Sequence, residues 1–328
     1  MNAKTNENVT HVCFCFDENL IRQVLIAAVS VSESSTNPVH FHFIHTEPAE
    51  SGLKVALKEV ENYFATTDKT LPEFSLYKVP NSKIDECPKI GHLPKASALR
   101  LFIQDYLPKD IQKVIYLDGD IFATGNISEL YKTDLQGFPV GAVQDPCMQQ
   151  FLVAHLGLDV RTYFNAGVLL VDMELWRKLN VGKNAFERLR HNASQFPTFD
   201  QDALNLECRN KWLQLLTCWN LLESQHTYMS VLRNPETVTI KLKHRGILHF
   251  THIKPWSNRC NSRYRILYTN LATRVFPDFK TNKIDSSSYN FLTFVPGPIY
   301  SFIRIVGRIA RIVIHFPFYL SRRQQKAL

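Results

Sequence analysis

No run of about 18 apolar residues free of charge occurs in this 328-residue chain, so the sequence offers no transmembrane helix. Met1 to Thr10 is polar and lacks the apolar core of a signal peptide. Seven cysteines are scattered with no Cys-x-x-Cys pair, and an odd count argues against a disulfide framework. Together these absences give the expectation of a reducing, cytoplasmic compartment. Cys13 and Cys15 lie two apart in a strand-like run and read as small hydrophobes facing one side. No internal repeat is visible. Acid is in deficit: the formal net charge is +8. Such an excess fits a polyanionic partner, whether nucleic acid, anionic membrane or phosphorylated glycolipid. Zinc-finger spacing and aromatic–basic RNA motifs are missing, which argues against nucleic acid.

What is present is an ordinary globular composition, 45% apolar and 21% charged. Val12 to Phe16 reads as a strand, Leu20 to Ser32 as an amphipathic helix and Phe41 to Ile44 as a second strand. Leu53 to Phe64 and Phe74 to Val79 continue the alternation. This β-α-β-α-β opening predicts an α/β fold with a mostly parallel sheet. Ligands in such sheets bind beyond the carboxyl ends of the strands. Asp17 and Asp118 both sit at predicted strand ends. Ala96 to Tyr106 reads as a helix carrying Arg100. Short strands follow at Val140 to Val143, Gly167 to Val171 and Ile247 to Thr251, with a helix over Gln201 to Cys208.

The most informative stretch is Asp118-Gly119-Asp120 after the apolar run Val114 to Leu117. On an extended backbone the two acids share a face. Like charges that close are costly unless a cation sits between them. Gly119 has no Cβ and would let a ligand approach the backbone. The sharp reading is a divalent-metal site on a nucleotide diphosphate; the bland one is an acidic turn. Four further segments carry candidate chemistry. Asn165, in Phe164-Asn165-Ala166-Gly167-Val168, can donate and accept toward sugar hydroxyls. Asp200-Gln201-Asp202 opens a helix, where Asp200 could serve as N-cap. His249 can complete a metal shell begun by carboxylates. Lys254, before Pro255-Trp256, can hold a phosphate as a point charge.

Together and in this order these segments resemble glycosyltransferase family eight. The resemblance covers about residues 10 to 256. It implies the type A nucleotide-sugar transferase fold, a Rossmann-like mixed sheet, and a Mn²⁺- (or Mg²⁺-) dependent, anomer-retaining transfer from a UDP-hexose such as UDP-glucose or UDP-galactose. By the same resemblance Asp17 and Asn19 contact the uridine. Asp118, Asp120 and His249 bind the metal, with Asp118 also near the ribose. Arg100 lies by the donor phosphate and sugar; Asn165, Asp200 and Gln201 line the reacting carbon; Lys254 takes a diphosphate oxygen. Retention invites a carboxylate nucleophile; Asp200 is a candidate by location, and a front-side mechanism is equally open. One departure is a shortened loop with His252 where the family has glycine. It leaves His252 as a competing ligand or phosphate contact.

Three segments are expected: a flexible 1–10, a catalytic domain over 11–285 and a basic amphipathic tail over 286–328. In the tail Arg304, Arg308 and Arg311 share one helical face, and Phe302, Ile305, Val306, Ile309 and Val313 fill the others. Such a helix suits a membrane interface, the alternative being a helix packed on the body. Six tail cations could add at most about 6 kcal/mol at an anionic leaflet. This charge matches the character of the family's bacterial lipopolysaccharide members. The expectation is therefore a peripheral enzyme on the inner face of the cytoplasmic membrane, acting on a lipopolysaccharide core or related glycolipid or oligosaccharide acceptor. Transfer to a protein or soluble glycan, and a basic non-enzymatic binding protein, are the rivals.

Overall fold

In a computed structural model the structure describes residues 9–88, 95–222, 246–251, 253–260, 262 and 264–280. The basic tail and His252 lie outside the described residues.

The opening units fold as the periodicity predicts. Strand β1 (Thr10–Phe16) leads to helix α1 (Ile21–Ser34), β2 (Val39–Thr46), helix α2 (Ala49–Ala65) and β3 (Glu73–Val79). β4 (Lys113–Leu117), β5 (Ile121–Ala123), β6 (Val140–Gln144), β7 (Phe164–Asp172), β8 (Leu213–Gln214), β9 (Leu221–Leu222) and β10 (Ile247–His249) follow. Seven strands form one sheet in the order β3-β2-β1-β4-β7-β6-β8, and β5-β10-β9 form a second, smaller one. β1 runs parallel to β2 and β4, and β2 to β3, whereas β7 is antiparallel to β4 and β6. The sheet is thus mixed and mostly parallel.

The period of two along β1 explains the two cores. Val12, Phe14 and Phe16 face α1 and α2 with Phe41, Phe43, Ile115 and Leu117. Cys13 faces the other side with Ile44, Val114, Tyr116 and Leu169, and Cys15 packs against that cluster. Because the sheet is covered on both faces, its central strands are mostly apolar, with polar exceptions such as His11 and Asn165. Among the described residues no helix is long and apolar enough to cross a membrane.

Three local readings need correction. Residues Lys95–Phe102 form a 3₁₀ helix that becomes α-helical only over Ile103–Tyr106. The strand read from Gly167 begins at Phe164, so Asn165 stands on β7 rather than in a loop. The last strand stops at His249, short of Thr251.

Candidate active site

The pairing of β1 with β4 sets Phe14 opposite Leu117. The loop after Phe16 and Asp118 therefore emerge at the same edge of the sheet. Asp118 directly follows β4; Gly119 and Asp120 form a turn, and β5 then enters the small sheet. Asp120 therefore sits in the turn rather than on the continuing strand. The two acids and His249 converge because β10 pairs with β5, His249 opposite Ile121. The Phe250 N–H also donates to the Asp120 carbonyl at 2.9 Å. His249 Nε2 lies 3.2 Å from Asp120 Oδ1 and 3.7 Å from Asp118 Oδ2. One ligand atom from each of the three residues lies within 4.8 Å of the others.

Glycine is required here for reasons the sequence did not reveal. A Cβ on Gly119 would stand 2.7 Å from Val24 Cγ2, so this glycine admits helix α1 rather than a ligand. A Cβ on Gly167 would stand 2.1 Å from His249 Cε1 and 2.8 Å from Asp118 Oδ2. Gly167 is the one that leaves room for the cluster.

Arg100 is the electrostatic centre of the site. Its guanidinium reaches Asp118 Oδ1 at 3.0 Å, Asp200 Oδ2 at 2.7 Å and the Ala166 carbonyl at 2.7 Å. It also stacks over Tyr116, 4.9 Å from the ring centroid. Burial works against its charge, but Asp118 and Asp200 outweigh burial and hold its pKa above the usual arginine range. The Tyr116 hydroxyl donates to the same Asp118 oxygen at 2.8 Å. Asp118 Oδ1 is thus engaged by protein, and Oδ2 faces His249. Burial likewise opposes the charge of Asp120; Lys254 and His249 overcome it and hold its carboxyl well below the usual range. The Lys254 ammonium pairs with Asp120 Oδ2 and donates to the carbonyls of Phe250 and Thr251 at 3.1 and 3.2 Å. The expected phosphate lysine therefore neutralises an acid of the cluster.

Asp200 is not an N-cap. It is the first residue of the helix Asp200–Glu207, and the cap position belongs to Phe199 at φ 60°. A positive φ at a bulky residue costs about 1–3 kcal/mol and is held by surrounding structure. Burial pushes the Asp200 carboxyl up to about 6, against the pull of Arg100. Gln201 is fully engaged: its Oε1 accepts from the Ala166 N–H at 2.9 Å, and its Nε2 donates to Asp145 at 3.2 Å and to the Tyr163 hydroxyl at 3.3 Å. Asn165 donates to Asp145 Oδ2 at 3.1 Å and accepts from the Gly167 N–H at 3.0 Å. Asp202 is buried against the Tyr163 hydroxyl at 2.7 Å and the Thr198 N–H at 2.6 Å.

Two site residues escaped the sequence reading. Asn220 accepts from His249 Nδ1 at 2.9 Å and donates to Asn165 Oδ1 at 2.9 Å. With Nδ1 turned to Asn220, Nε2 is the nitrogen that faces the carboxylates and would be the one offered to a cation. Asp145 follows β6 and joins Asn165 to Gln201. Only its place at a strand end could have marked it. Asp17 and Asn19 stay apart from this network. Asn19 N–H donates to Asp17 Oδ1 at 3.0 Å, a local turn at the end of β1.

This fold and this cluster of acids and histidine define an α/β protein whose Asp118, Asp120 and His249 could hold a divalent cation. The family model "Glycosyl transferase family 8" matches residues 11–260. The chain therefore belongs to glycosyl transferase family 8 and is a glycosyltransferase. General stress protein A of Bacillus subtilis is 25% identical over 274 residues, 80% of this chain and 92% of that protein. Glycosyltransferase GlyA of Streptococcus pneumoniae is 28% identical over 249 residues, 75% of this chain but 32% of that longer protein. Among solved structures, galactosyltransferase LgtC in complex with donor and acceptor sugar analogs aligns with a TM-score of 0.69 at 22% identity. That alignment covers 85% of this chain and 99% of LgtC. It supports the type A nucleotide-sugar transferase fold.

Proposed function

We propose that the protein is a retaining hexosyltransferase that moves glucose or galactose from a UDP-sugar to a lipopolysaccharide core or related envelope glycan. The observation that carries this reading is the convergence of Asp118 Oδ2, Asp120 Oδ1 and His249 Nε2, with Arg100 spanning Asp118 and Asp200. The donor set fits a divalent cation. Two carboxylate oxygens suit Mg²⁺ and Mn²⁺, and an imidazole nitrogen tilts the choice to Mn²⁺. Gly167 leaves the space that a Cβ would fill. When bound there, the cation supplies Lewis-acid stabilisation of the negative charge on the departing diphosphate.

The remaining work belongs to the chain. Asn220 keeps the His249 proton on Nδ1. Arg100 holds Asp118 and Asp200 in one fixed array and carries positive charge into a buried site, where such charge acts strongly. Lys254, here paired with Asp120, would take a diphosphate oxygen as a point charge. Asp17 and Asn19, on the loop after β1, are assigned to the uridine. Asn165 and Gln201, locked by Asp145 and Ala166, shape the wall near the reacting carbon. Asp200 lies in that wall too, paired with the Arg100 guanidinium at 2.7 Å.

The basic residues after 286 are assigned to an anionic membrane surface, which would hold the enzyme beside glycolipid acceptors on the inner face of the cytoplasmic membrane. The test of the reaction is a panel of UDP-sugars assayed for Mn²⁺-dependent release of UDP. UDP release from UDP-glucose or UDP-galactose, lost on chelation, is expected. Equal release with and without metal would overturn the assignment.

A further inference from the structure

Three histidines face one another well away from the acidic cluster. His11 stands on β1, and His40 and His42 stand on β2. His11 pairs with His40, and Cys13 with His42, so all three imidazoles project from one face of the sheet. Val12 pairs with Ile115. Asp118 therefore lies about 13 Å along the strands from the level of His11, at ~3.3 Å per residue. His11 Nδ1 is 3.0 Å from His42 Nε2. His40 stacks on His42 with ring centroids 4.3 Å apart. One nitrogen of each ring lies within 4.8 Å of the others.

The surroundings prepare these rings as ligands. The Tyr77 hydroxyl lies 3.1 Å from His42 Nδ1. Accepting that proton leaves the Nε2 lone pair facing His11, the arrangement by which an outer partner orients a metal-bound histidine. Ser75 Oγ lies 2.8 Å from His40 Nε2, and Glu73 Oε2 lies 3.6 Å from His40 Nδ1. Burial, then His40, lower the pKa of His11 against the fields of Asp110 and Glu73, and burial, then His40 and His11, lower that of His42 to about 3. Burial lowers that of His40 as well, against the field of Glu73. Three uncharged imidazoles are what a cation requires. Zinc–nitrogen bonds of about 2.0–2.1 Å in a tetrahedral shell put ligand nitrogens roughly 3.3 Å apart. The His11–His42 spacing of 3.0 Å, now a hydrogen bond whose proton a cation would displace, is close to that. His40, half-buried, closes the shell by turning about χ2, a broad torsion. The Glu73 side chain is 73% exposed and free to move.

We infer that His11, His40 and His42 form a second cation site, selective for a zinc-class transition metal, with Glu73 on the adjoining strand β3 as the fourth ligand. An imidazole-rich set of this kind takes Zn²⁺ or Co²⁺ and leaves Mg²⁺ and Mn²⁺ to the carboxylates. The inference is independent of which sugar the enzyme transfers.

The test uses the full chain, stripped by chelation and held in excess Mg²⁺ to fill the acidic site. Zn²⁺ and Co²⁺ are titrated into the Asp120→Asn protein and into the same protein carrying His11→Gln or His40→Gln. The Asp120→Asn parent is expected to bind one equivalent of Zn²⁺ and to show the visible absorption of four-coordinate Co²⁺. Loss of an outer partner alone weakens metal sites about 10- to 100-fold, so loss of a ligand is expected to weaken this one more than tenfold. His11 and His40 are half-buried, and circular dichroism checks that their variants fold. In the wild-type background the same substitutions are expected to leave Mn²⁺-dependent transfer unchanged. A parent that binds no zinc, or histidine variants that keep its zinc stoichiometry and cobalt spectrum, would overturn the inference.

Discussion

At the scale of single residues the site depends on which oxygen and which nitrogen are left free. Asp118 has one oxygen occupied by Arg100 and Tyr116, and Asp120 has one occupied by Lys254. What remains points at His249 Nε2. Asn220 decides that nitrogen's availability through a 2.9 Å hydrogen bond to Nδ1. Asn220→Ala is therefore expected to weaken Mn²⁺ binding about 10- to 100-fold with the fold intact. Electron paramagnetic resonance of free Mn²⁺ measures it, and unchanged affinity would remove the positioning role. The cluster of Asp118, Asp120 and His249 was legible in the sequence because acids two apart after an apolar run, and a histidine ending another, are compact signals. Asn220 and Asp145 were not. Each is a lone polar residue, and what matters about it is a partner 29 or 20 positions away.

At the scale of elements the sheet carries the site on a laminated apolar core. Phe43 is fully buried on β2, with ring centroids 6.0 Å from Phe14, 5.6 Å from Phe16 and 5.5 Å from Phe74. Phe43→Ala is expected to cost about 3–5 kcal/mol, read from the urea midpoint at unchanged slope. A loss below about 1 kcal/mol would contradict the packing described. The strands were readable because side chains alternate with period two, as Val12, Phe14 and Phe16 against Cys13 and Cys15 show. Direction was not readable. Nothing in Gly167 to Val171 says that β7 runs antiparallel to its neighbours, since the same alternation serves either sense. Nor does the apolar spacing of Lys95–Phe102 separate a 3₁₀ helix from an α-helix. The same sheet carries a pH dependence. His42 is buried uncharged, its pKa lowered to about 3 by burial and then by His40 and His11. The unfolded chain takes up a proton near the ordinary value of about 6.5, so unfolding binds protons between those limits. This contribution is whole above about pH 6.5 and is lost as pH falls toward 3, by up to about 1.4 kcal/mol per pH unit. His42→Gln is expected to flatten the fall of melting temperature between pH 6.5 and 4. An unaltered slope would show that His42 does not titrate in this way.

At the scale of the whole molecule, charge and catalysis are separated along the chain. The proposed site residues fall within the family match at 11–260, while Arg304, Arg308, Arg311, Arg322, Arg323 and Lys326 lie beyond it. Removing the residues after Ser288 is expected to lower recovery on vesicles rich in anionic lipid and to leave UDP-sugar hydrolysis intact. Equal recovery of the shortened protein in a sedimentation assay would remove the membrane role of the tail. The most direct measurement of the site concerns the cation and nucleotide together: calorimetric binding of UDP in the presence and absence of Mn²⁺, to the wild-type protein and to Asp120→Asn. The expected result is tight UDP binding that requires Mn²⁺ and vanishes in Asp120→Asn. UDP bound equally well by both proteins, with metal or without it, would contradict the assignment of Asp118, Asp120 and His249.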